Sequence, residues 1–201
     1  PQGTLFGRNT TGGLVHYLTK GATEIDTNGY LEVQAGDYDM KLLEGAVGGA
    51  MSDTARFRLA GRWLQNDGYV KSVTPGIRDA HGNDGFTIRG AFQVDLAENF
   101  LADLRIAHSD DSDVPSGTYS INFAGSDPNT GLGIPVPGRL TDKQKHASTF
   151  EGYFDRESTN TTLTLTWDVN EQLEFVSITN RLDLDKVYAE DAGGGLFFFP
   201  Y

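Results

Sequence analysis

Residues 86–107 read Phe-Thr-Ile-Arg-Gly-Ala-Phe-Gln-Val-Asp-Leu-Ala-Glu-Asn-Phe-Leu-Ala-Asp-Leu-Arg-Ile-Ala. Apolar and polar residues alternate on both sides of a short turn at Ala97–Asn99, which is the period-two pattern of two antiparallel strands. A helix would repeat its apolar residues every three or four positions, and no sustained stretch of that kind occurs in the chain. The sequence therefore predicts an all-β fold.

The same alternation recurs along the chain and predicts seven strands in an antiparallel meander. The strands are assigned, in chain order, to residues 30–36, 43–51, 56–63, 86–96, 100–107, 162–169 and 173–185. The first two are expected to form a hairpin through Asp37, Tyr38 and Asp39. The alternation changes phase near Phe175 and Val176, which predicts a β-bulge at that point.

The connections are of two kinds. Residues 52–54, 97–99 and 170–172 are short turns, whereas 66–85, 110–158 and 186–201 are predicted to be long loops that emerge from one edge of the sheet. Strands of about ten residues with short turns at one rim and long loops at the other are typical of an outer-membrane barrel. A soluble antiparallel sheet with one buried face would show the same alternation. Arginine outnumbers lysine on the polar face and is mixed with Gly and Ala, which favours a filled lumen.

Length, composition and charge exclude several classes of protein. The chain has 201 residues, about one domain, and 28 acidic against 16 basic residues give a net charge of -12. Such a charge disfavours binding to a phosphate backbone, so nucleic acid is not a predicted partner. No apolar run approaches a membrane-spanning helix, while a mean hydropathy of -0.38 is compatible with a transmembrane barrel. The absence of cysteine excludes disulfides, thiolate metal sites and a cysteine nucleophile.

The amino terminus carries the most specific motif, followed by a predicted strand at residues 14–19. The motif reads Pro1, Gln2, Gly3, Thr4, Leu5, Phe6, Gly7, Arg8, Asn9, Thr10, Thr11, Gly12 and Gly13. It matches neither a phosphate-binding loop nor a dinucleotide-binding fingerprint. It closely resembles the end of the plug domain of TonB-dependent outer-membrane receptors. His16 and Tyr17 depart from the Asn-Val or Ile-Asn pairs usual in that strand, and the remaining chain resembles the family in a generic way.

The resemblance implies a domain organisation. Residues 1–20 would be the end of the plug domain, 21–29 a linker, and 30–201 the first part of a barrel of about 22 strands. Because the chain begins with Pro1, we interpret it as a fragment of a longer receptor.

The resemblance also implies an activity, energy-coupled uptake of a scarce solute across the outer membrane of a Gram-negative bacterium. An iron chelate such as an iron-siderophore is the first candidate, with cobalamin, haem or a glycan as others. The implied partners are outer-membrane lipid, the small-molecule ligand, and the inner-membrane energy-transducing TonB protein, which acts through a segment outside this chain. No cofactor is implied.

Two functions of other classes remain open at this stage. A soluble β-sheet carbohydrate-binding module would use loop aromatics and acids as its site. A passive porin-like channel would share the barrel, although the plug motif argues against it.

Residues suited to metal binding or catalysis are few. The four histidines lack the spacing of a metal site: His16, His81, His108 and His146. Asp110, Asp111 and Asp113 begin like a calcium loop, but Pro115 and Ser116 stand where that loop needs a ligand and a glycine. No Gly-x-Ser-x-Gly motif occurs. We therefore predict no enzyme activity, no catalytic residue and no metal site.

Aromatic residues supply the remaining candidates. Trp63 and Trp167 fall near opposite ends of their strands and are predicted to belong to the aromatic girdles of a membrane barrel. Several loop and terminal aromatics are candidates for ligand contact, with loop packing as the alternative: Tyr69, Tyr119, Phe123, Tyr153, Phe154, Phe197, Phe198, Phe199 and Tyr201.

An ion pair between plug and barrel is also predicted. Arg8 lies in the plug motif, and Glu32 and Glu44 point to the polar side of the first two strands. A guanidinium among lumen groups needs a carboxylate or several carbonyl groups. We expect Arg8 to lie within about 6 Å of one of these carboxylates, the distance at which a charge pair still matters.

Overall fold

The computed structural model describes residue 13 and residues 19–113, 123–126, 133–135, 145–146 and 151–190. All regular secondary structure in these residues is β-strand, which confirms the predicted all-β fold. No helix in this described part is long and apolar enough to cross a membrane. The strands are β1 (Asn28–Gly36), β2 (Met40–Ala50), β3 (Ala55–Asn66), β4 (Lys71–Ser72), β5 (Asn83–Ala97), β6 (Phe100–Asp113), β7 (Phe123–Ser126), β8 (Gly133–Pro135), β9 (Lys145–His146), β10 (Tyr153–Asn170) and β11 (Leu173–Ala189).

Seven of these strands form one antiparallel sheet in the order β1-β2-β3-β5-β6-β10-β11. They are the seven predicted strands in the predicted order. The turns at 51–54, 98–99 and 171–172 lie at one end of the sheet, here called the short-turn rim. The connection 67–82 lies at the other end, the long-loop rim, where β6 ends at Asp113 and β10 begins at Tyr153. Within the described residues the sheet does not close on itself, so β1 and β11 are its edges.

The strands extend further toward the long-loop rim than the alternation predicts. β6 runs to Asp113 and β10 begins at Tyr153, so part of the predicted 110–158 loop is strand. The added residues are almost all polar and carry no apolar alternation. Their side chains pair across strands instead, as Ser112 Oγ donates to Asp155 Oδ1 at 2.6 Å. In the same way β5 begins at Asn83 and β11 continues to Ala189, inside the loops predicted at 66–85 and 186–201.

The β-bulge predicted near Phe175 and Val176 is wrong in position. The register of β10 with β11 is continuous there and shifts between Asp168 and Asn170, next to the tight turn. Because no bulge near Phe175 restores the alternation, the phase change persists along β11. The apolar residues of β11 beyond Phe175 are opposite polar residues of β10 and share their face, with the pairs Val176–Thr166, Ile178–Thr164, Leu182–Asn160 and Leu184–Ser158.

The hairpin predicted between the first two strands is present. Its turn places Tyr38 and Asp39 at φ of 59° and 53°, in the left-handed region that non-glycine residues rarely adopt. The Tyr38 carbonyl accepts a hydrogen bond from the Asp67 amide at 2.7 Å, so the turn is tied to the next connection at the same rim.

Candidate functional site

One face of the sheet, here called the apolar face, is lined by large hydrophobic side chains. Its centre is a cross-strand row of Phe57, Phe92, Leu104 and Leu163 on β3, β5, β6 and β10. Many side chains of this face remain exposed, among them Val47, Leu59, Phe86, Ile88, Phe92 and Ile106. An apolar surface of this extent is unusual for a protein that meets only water.

The apolar face runs obliquely across the strands. One row of cross-strand neighbours begins apolar at β3 and ends acidic at β11, in the order Trp63, Phe86, Asp110, Glu157, Asp185. Nearer the short turns, the last three strands carry an apolar row of Phe100, Trp167 and Phe175. The band of hydrophobic side chains therefore shifts toward the short-turn rim from one strand to the next.

Trp63 and Trp167 both lie on the apolar face, toward opposite rims. Trp63 is paired with Leu43 and Phe86 near the long-loop rim. Trp167 is paired with Phe100 and Phe175 near the short-turn rim. Both residues are partly exposed, 37% and 45% respectively.

The opposite face, here called the polar face, carries a network of charged side chains. Arg56 donates to Gln93 at 2.8 Å and also pairs with Asp95. Arg105 makes a two-pronged pair with Asp103, with Nε–Oδ1 and Nη2–Oδ2 distances of 2.8 and 3.0 Å. Such charge-assisted bonds are stronger than neutral ones and fix the side chains in place.

The chain before β1 lies across the polar face. A Cβ at Gly21 would stand 2.9 Å from Arg105 Nη2, so the backbone of this segment lies directly on the arginine side chain. The neighbouring Ala22 is only 2% exposed. The segment then reaches the short-turn rim, where the Ala50 amide donates to the Ile25 carbonyl at 3.0 Å. One side of the sheet thus receives a second element of the chain.

A cavity of about 470 Å³ lies between this segment and the sheet. Alanines on adjacent strands, Ala46, Ala60, Ala91 and Ala107, contribute to its lining, and small side chains at these positions leave room above the sheet. Four cationic side chains also contribute: Lys20, Arg58, Arg89 and Arg105. Sequence reasoning recognised arginines on the polar face but did not predict that these would share one cavity.

Glu32 and Glu44, the carboxylates predicted to pair with Arg8, are direct cross-strand neighbours on the polar face. Glu44 accepts a hydrogen bond from Tyr30 Oη at 2.6 Å and pairs with Arg62 at 3.4 Å. Glu32 accepts a hydrogen bond from Gln34 and has no ion pair among the described residues. Arg8 and the rest of the plug motif lie outside the described residues, so the predicted contact stays a prediction.

At the long-loop rim, residues 67–82 pack with residues 145–146 into what we call the loop cap. β4 and β9 pair in parallel, and the Val73 amide donates to the His146 carbonyl at 2.9 Å. His146 Nε2 donates to the Arg78 carbonyl at 3.1 Å. Val70 and Ala80 are each 1% exposed, which gives the cap a small core of its own.

Tyr69 and His81 form the aromatic part of the loop cap. Their rings stack at 4.7 Å with an angle of 13°, and Tyr38 approaches the edge of Tyr69 at 6.2 Å. Burial, with a smaller contribution from the charge of His146, lowers the pKa of His81. Tyr69, predicted as a ligand contact, therefore has one ring face occupied by the His81 imidazole.

The other predicted ligand aromatics are scattered. Phe154 lies at the long-loop end of β10, with the Lys186 ammonium 4.9 Å and the Arg156 guanidinium 5.8 Å from its ring centre. Tyr153 is 42% exposed beside it. Phe123 belongs to β7, described here by its backbone. The remaining candidates lie outside the described residues: Tyr119, Phe197, Phe198, Phe199 and Tyr201.

Metal-binding clusters are not found in the described part of the chain, where no three His, Asp or Glu side chains converge on one point. His108 instead shares a hydrogen bond with Thr159 Oγ1 at 2.9 Å. No family model, curated protein or solved structure matches this chain.

Proposed function

We propose that this chain is part of a TonB-dependent outer-membrane receptor, comprising the end of its plug and the first seven strands of its barrel. The activity is energy-coupled uptake of a scarce solute, with an iron chelate as the first to test. In this proposal the apolar face meets lipid, the polar face lines the lumen, and the loop cap faces the outside of the cell.

The observation that carries the proposal is the oblique apolar band. Barrel strands are tilted about 35–45° from the membrane normal, so a flat layer of lipid crosses successive strands at shifted positions. With the usual strand spacing and rise, such a tilt shifts the lipid layer by about one residue or more per strand, which produces an oblique band of the kind that runs between the rows of Trp63 and Phe100. The exposure of this band argues against a soluble carbohydrate-binding module, which would have to cover it.

The segment 19–25 supports a plugged barrel over an open channel. It precedes β1 and lies on the polar face, where Gly21 contacts Arg105. In the proposed receptor this is the route by which the chain leaves the plug and enters the barrel wall.

Lipid contact can be tested through Trp63 and Trp167, which lie toward opposite rims. In the receptor reconstituted into vesicles, brominated acyl chains should quench part of the tryptophan emission. Trp63→Phe and Trp167→Phe should each reduce the quenched part relative to wild type. A quenched part that is unchanged in both variants would contradict the membrane assignment.

Transport can be tested separately in cells. Accumulation of the ferric chelate should require the receptor and should stop when an uncoupler dissipates the proton gradient. Uptake that persists after uncoupling would favour the passive channel.

A further inference from the structure

Three arginines on neighbouring strands converge on one position of the polar face. Arg58 on β3 and Arg105 on β6 are both direct cross-strand partners of Ala91 on β5. Arg89 precedes Ala91 by two residues and therefore lies on the same face. All three line the 470 Å³ cavity, above alanines that leave the space open.

Two of the three guanidinium groups have no ion pair within the described residues. Arg105 is neutralised by Asp103, at 2.8 Å. Arg58 donates to the neutral Asn28 side chain at 3.1 Å. Arg89 lines an adjoining pocket together with Glu44, which itself pairs with Arg62 at 3.4 Å. Like charges that line one cavity repel one another, so the arrangement favours an anion between them.

The composition of the chain makes this cluster stand out. Acidic residues outnumber basic ones by 28 to 16, yet the described lining of the cavity contains four cations and no carboxylate. The fourth cation, Lys20, pairs with Glu24 at 3.1 Å. Residues 1–18, which precede this segment, contain no Asp or Glu.

The remaining polar groups of the lining are suited to an anion as well. Asn160 Oδ1 accepts a hydrogen bond from Asn180 at 2.5 Å, which leaves the Asn160 NH₂ group available to donate. Thr162 adds a hydroxyl group. A guanidinium presents a planar fork that fits a carboxylate or a phosphate with two parallel bonds. The volume lies within the range of small-molecule sites.

We propose that this arginine cavity binds a small anionic solute through carboxylate or phosphate groups held by Arg58 and Arg89. The inference rests on the proposed function and deepens it, since it identifies the transported solute as an anion, such as a carboxylate-bearing chelate. Thr19 and Lys20 contribute to one wall of the cavity, so movement of the segment before β1 would open it.

The test is calorimetric titration of the whole receptor, purified in detergent at low salt, with citrate and, in parallel, inorganic phosphate. We expect at least one probe to bind, and the probe with the higher affinity identifies carboxylate or phosphate as the preferred group. Arg89→Gln and Arg58→Gln should each weaken binding about tenfold to a hundredfold, the usual effect of losing a charge-assisted bond. Arg181→Gln, on the opposite face, is the matched control and should leave the affinity unchanged.

Several results would overturn the proposal. These are binding of neither probe, or equal binding by wild type and Arg89→Gln when thermal melting shows both to be folded. A lower melting temperature of Arg89→Gln without any probe binding would likewise overturn it, because it would mean that a protein carboxylate occupies the cavity. Arg89→Lys keeps the charge but loses the fork, so intermediate affinity is expected. Titration in detergent does not depend on transport, so its outcome is distinct from failure of the lipid-contact and uncoupling experiments.

Discussion

Leu104 and Asp103 are neighbours on β6, yet they belong to opposite faces that reach stability by different means. The face of Leu104 gathers hydrophobic side chains and leaves them exposed, whereas on the face of Asp103 charged side chains pair with one another. In the proposed receptor, the hydrophobic face meets lipid, and the charged face lies under a second segment of the chain, where most of its charges have internal partners.

Two ion pairs of the same geometry sharpen this contrast. Arg105–Asp103 and Arg181–Asp183 each join residues two apart on one strand through two hydrogen bonds. The Asp103 side chain is 11% exposed, whereas the Asp183 side chain is 61% exposed. The same pair is therefore shielded on the polar face and exposed on β11, where it lies on the other face but outside the apolar band.

The largest effect should come from expressing residues 1–201 without the rest of the proposed receptor. Residues 1–201 alone leave the edges of β1 and β11 unpaired and the apolar face in water. We expect this chain, expressed without the rest of the receptor, to aggregate and to form no stable monomer. Size-exclusion chromatography without detergent and thermal melting measure this. A sharp monomer peak with a cooperative transition would contradict the membrane assignment and favour a soluble module.

Next in size is the effect of placing a charge on the apolar face. Leu104→Arg in the membrane-inserted receptor should lower the free energy of unfolding by about 2–4 kcal/mol, because the guanidinium would face hydrocarbon. Denaturant unfolding in lipid vesicles measures the change.

The matched control is Thr164→Arg, on the polar face opposite Asp103. Its cost should stay below about 1 kcal/mol, since the new charge meets a carboxylate rather than lipid. Equal costs for the two variants would mean that the faces do not differ in solvent.

The alternation of the sequence was sufficient to predict the seven strands, because most large apolar residues of β1, β2, β3, β5, β6 and β10 lie on one face, with exceptions such as Leu42 opposite Leu64. It was not sufficient at the strand ends. Asp110–Asp113 is a run of polar residues that is strand because its side chains pair with β10, as Arg156 Nη2 does with Asp111 at 2.5 Å. The alternation also could not locate the bulge. A phase change near Phe175 does not reveal whether the register shifts there or at Asp168.

The arginine cavity could not be predicted from the sequence for a related reason. Arg58, Arg89 and Arg105 are far apart in the chain, and their convergence on Ala91 depends on the register of β3, β5 and β6. Register is fixed by pairing along whole strands. The position of Gly21 over Arg105 depends in addition on the path of the segment before β1.

A smaller effect should distinguish the two ion pairs. Asp103→Asn removes a shielded carboxylate and leaves Arg105 as a third uncompensated charge in its cavity. We expect it to destabilise the receptor by about 1–3 kcal/mol. Asp183→Asn should change the stability by less than about 0.5 kcal/mol, as is usual for exposed pairs. Denaturant unfolding of both variants measures the difference, and a larger loss for Asp183→Asn would contradict the account of the two faces.

The smallest effect should be found at the loop cap, which belongs to neither face. A hydrogen bond from Lys71 at 2.6 Å, joined by one from the Ser72 amide, lowers the pKa of Asp79 below its usual 3.8. A lowered folded pKa stabilises the cap above the unfolded pKa, and this contribution disappears as the pH falls through the folded one. We expect residues 67–82 to lose protection from hydrogen–deuterium exchange below about pH 4, after correction for the intrinsic exchange rate.

Asp79→Asn should remove this pH dependence, whereas Asp67→Asn, in the same loop but without an ion pair among the described residues, should retain it. Protection that stays constant down to pH 2.5 in the wild type would show that the Lys71–Asp79 pair contributes nothing to the cap, leaving its stability to the buried Val70 and Ala80.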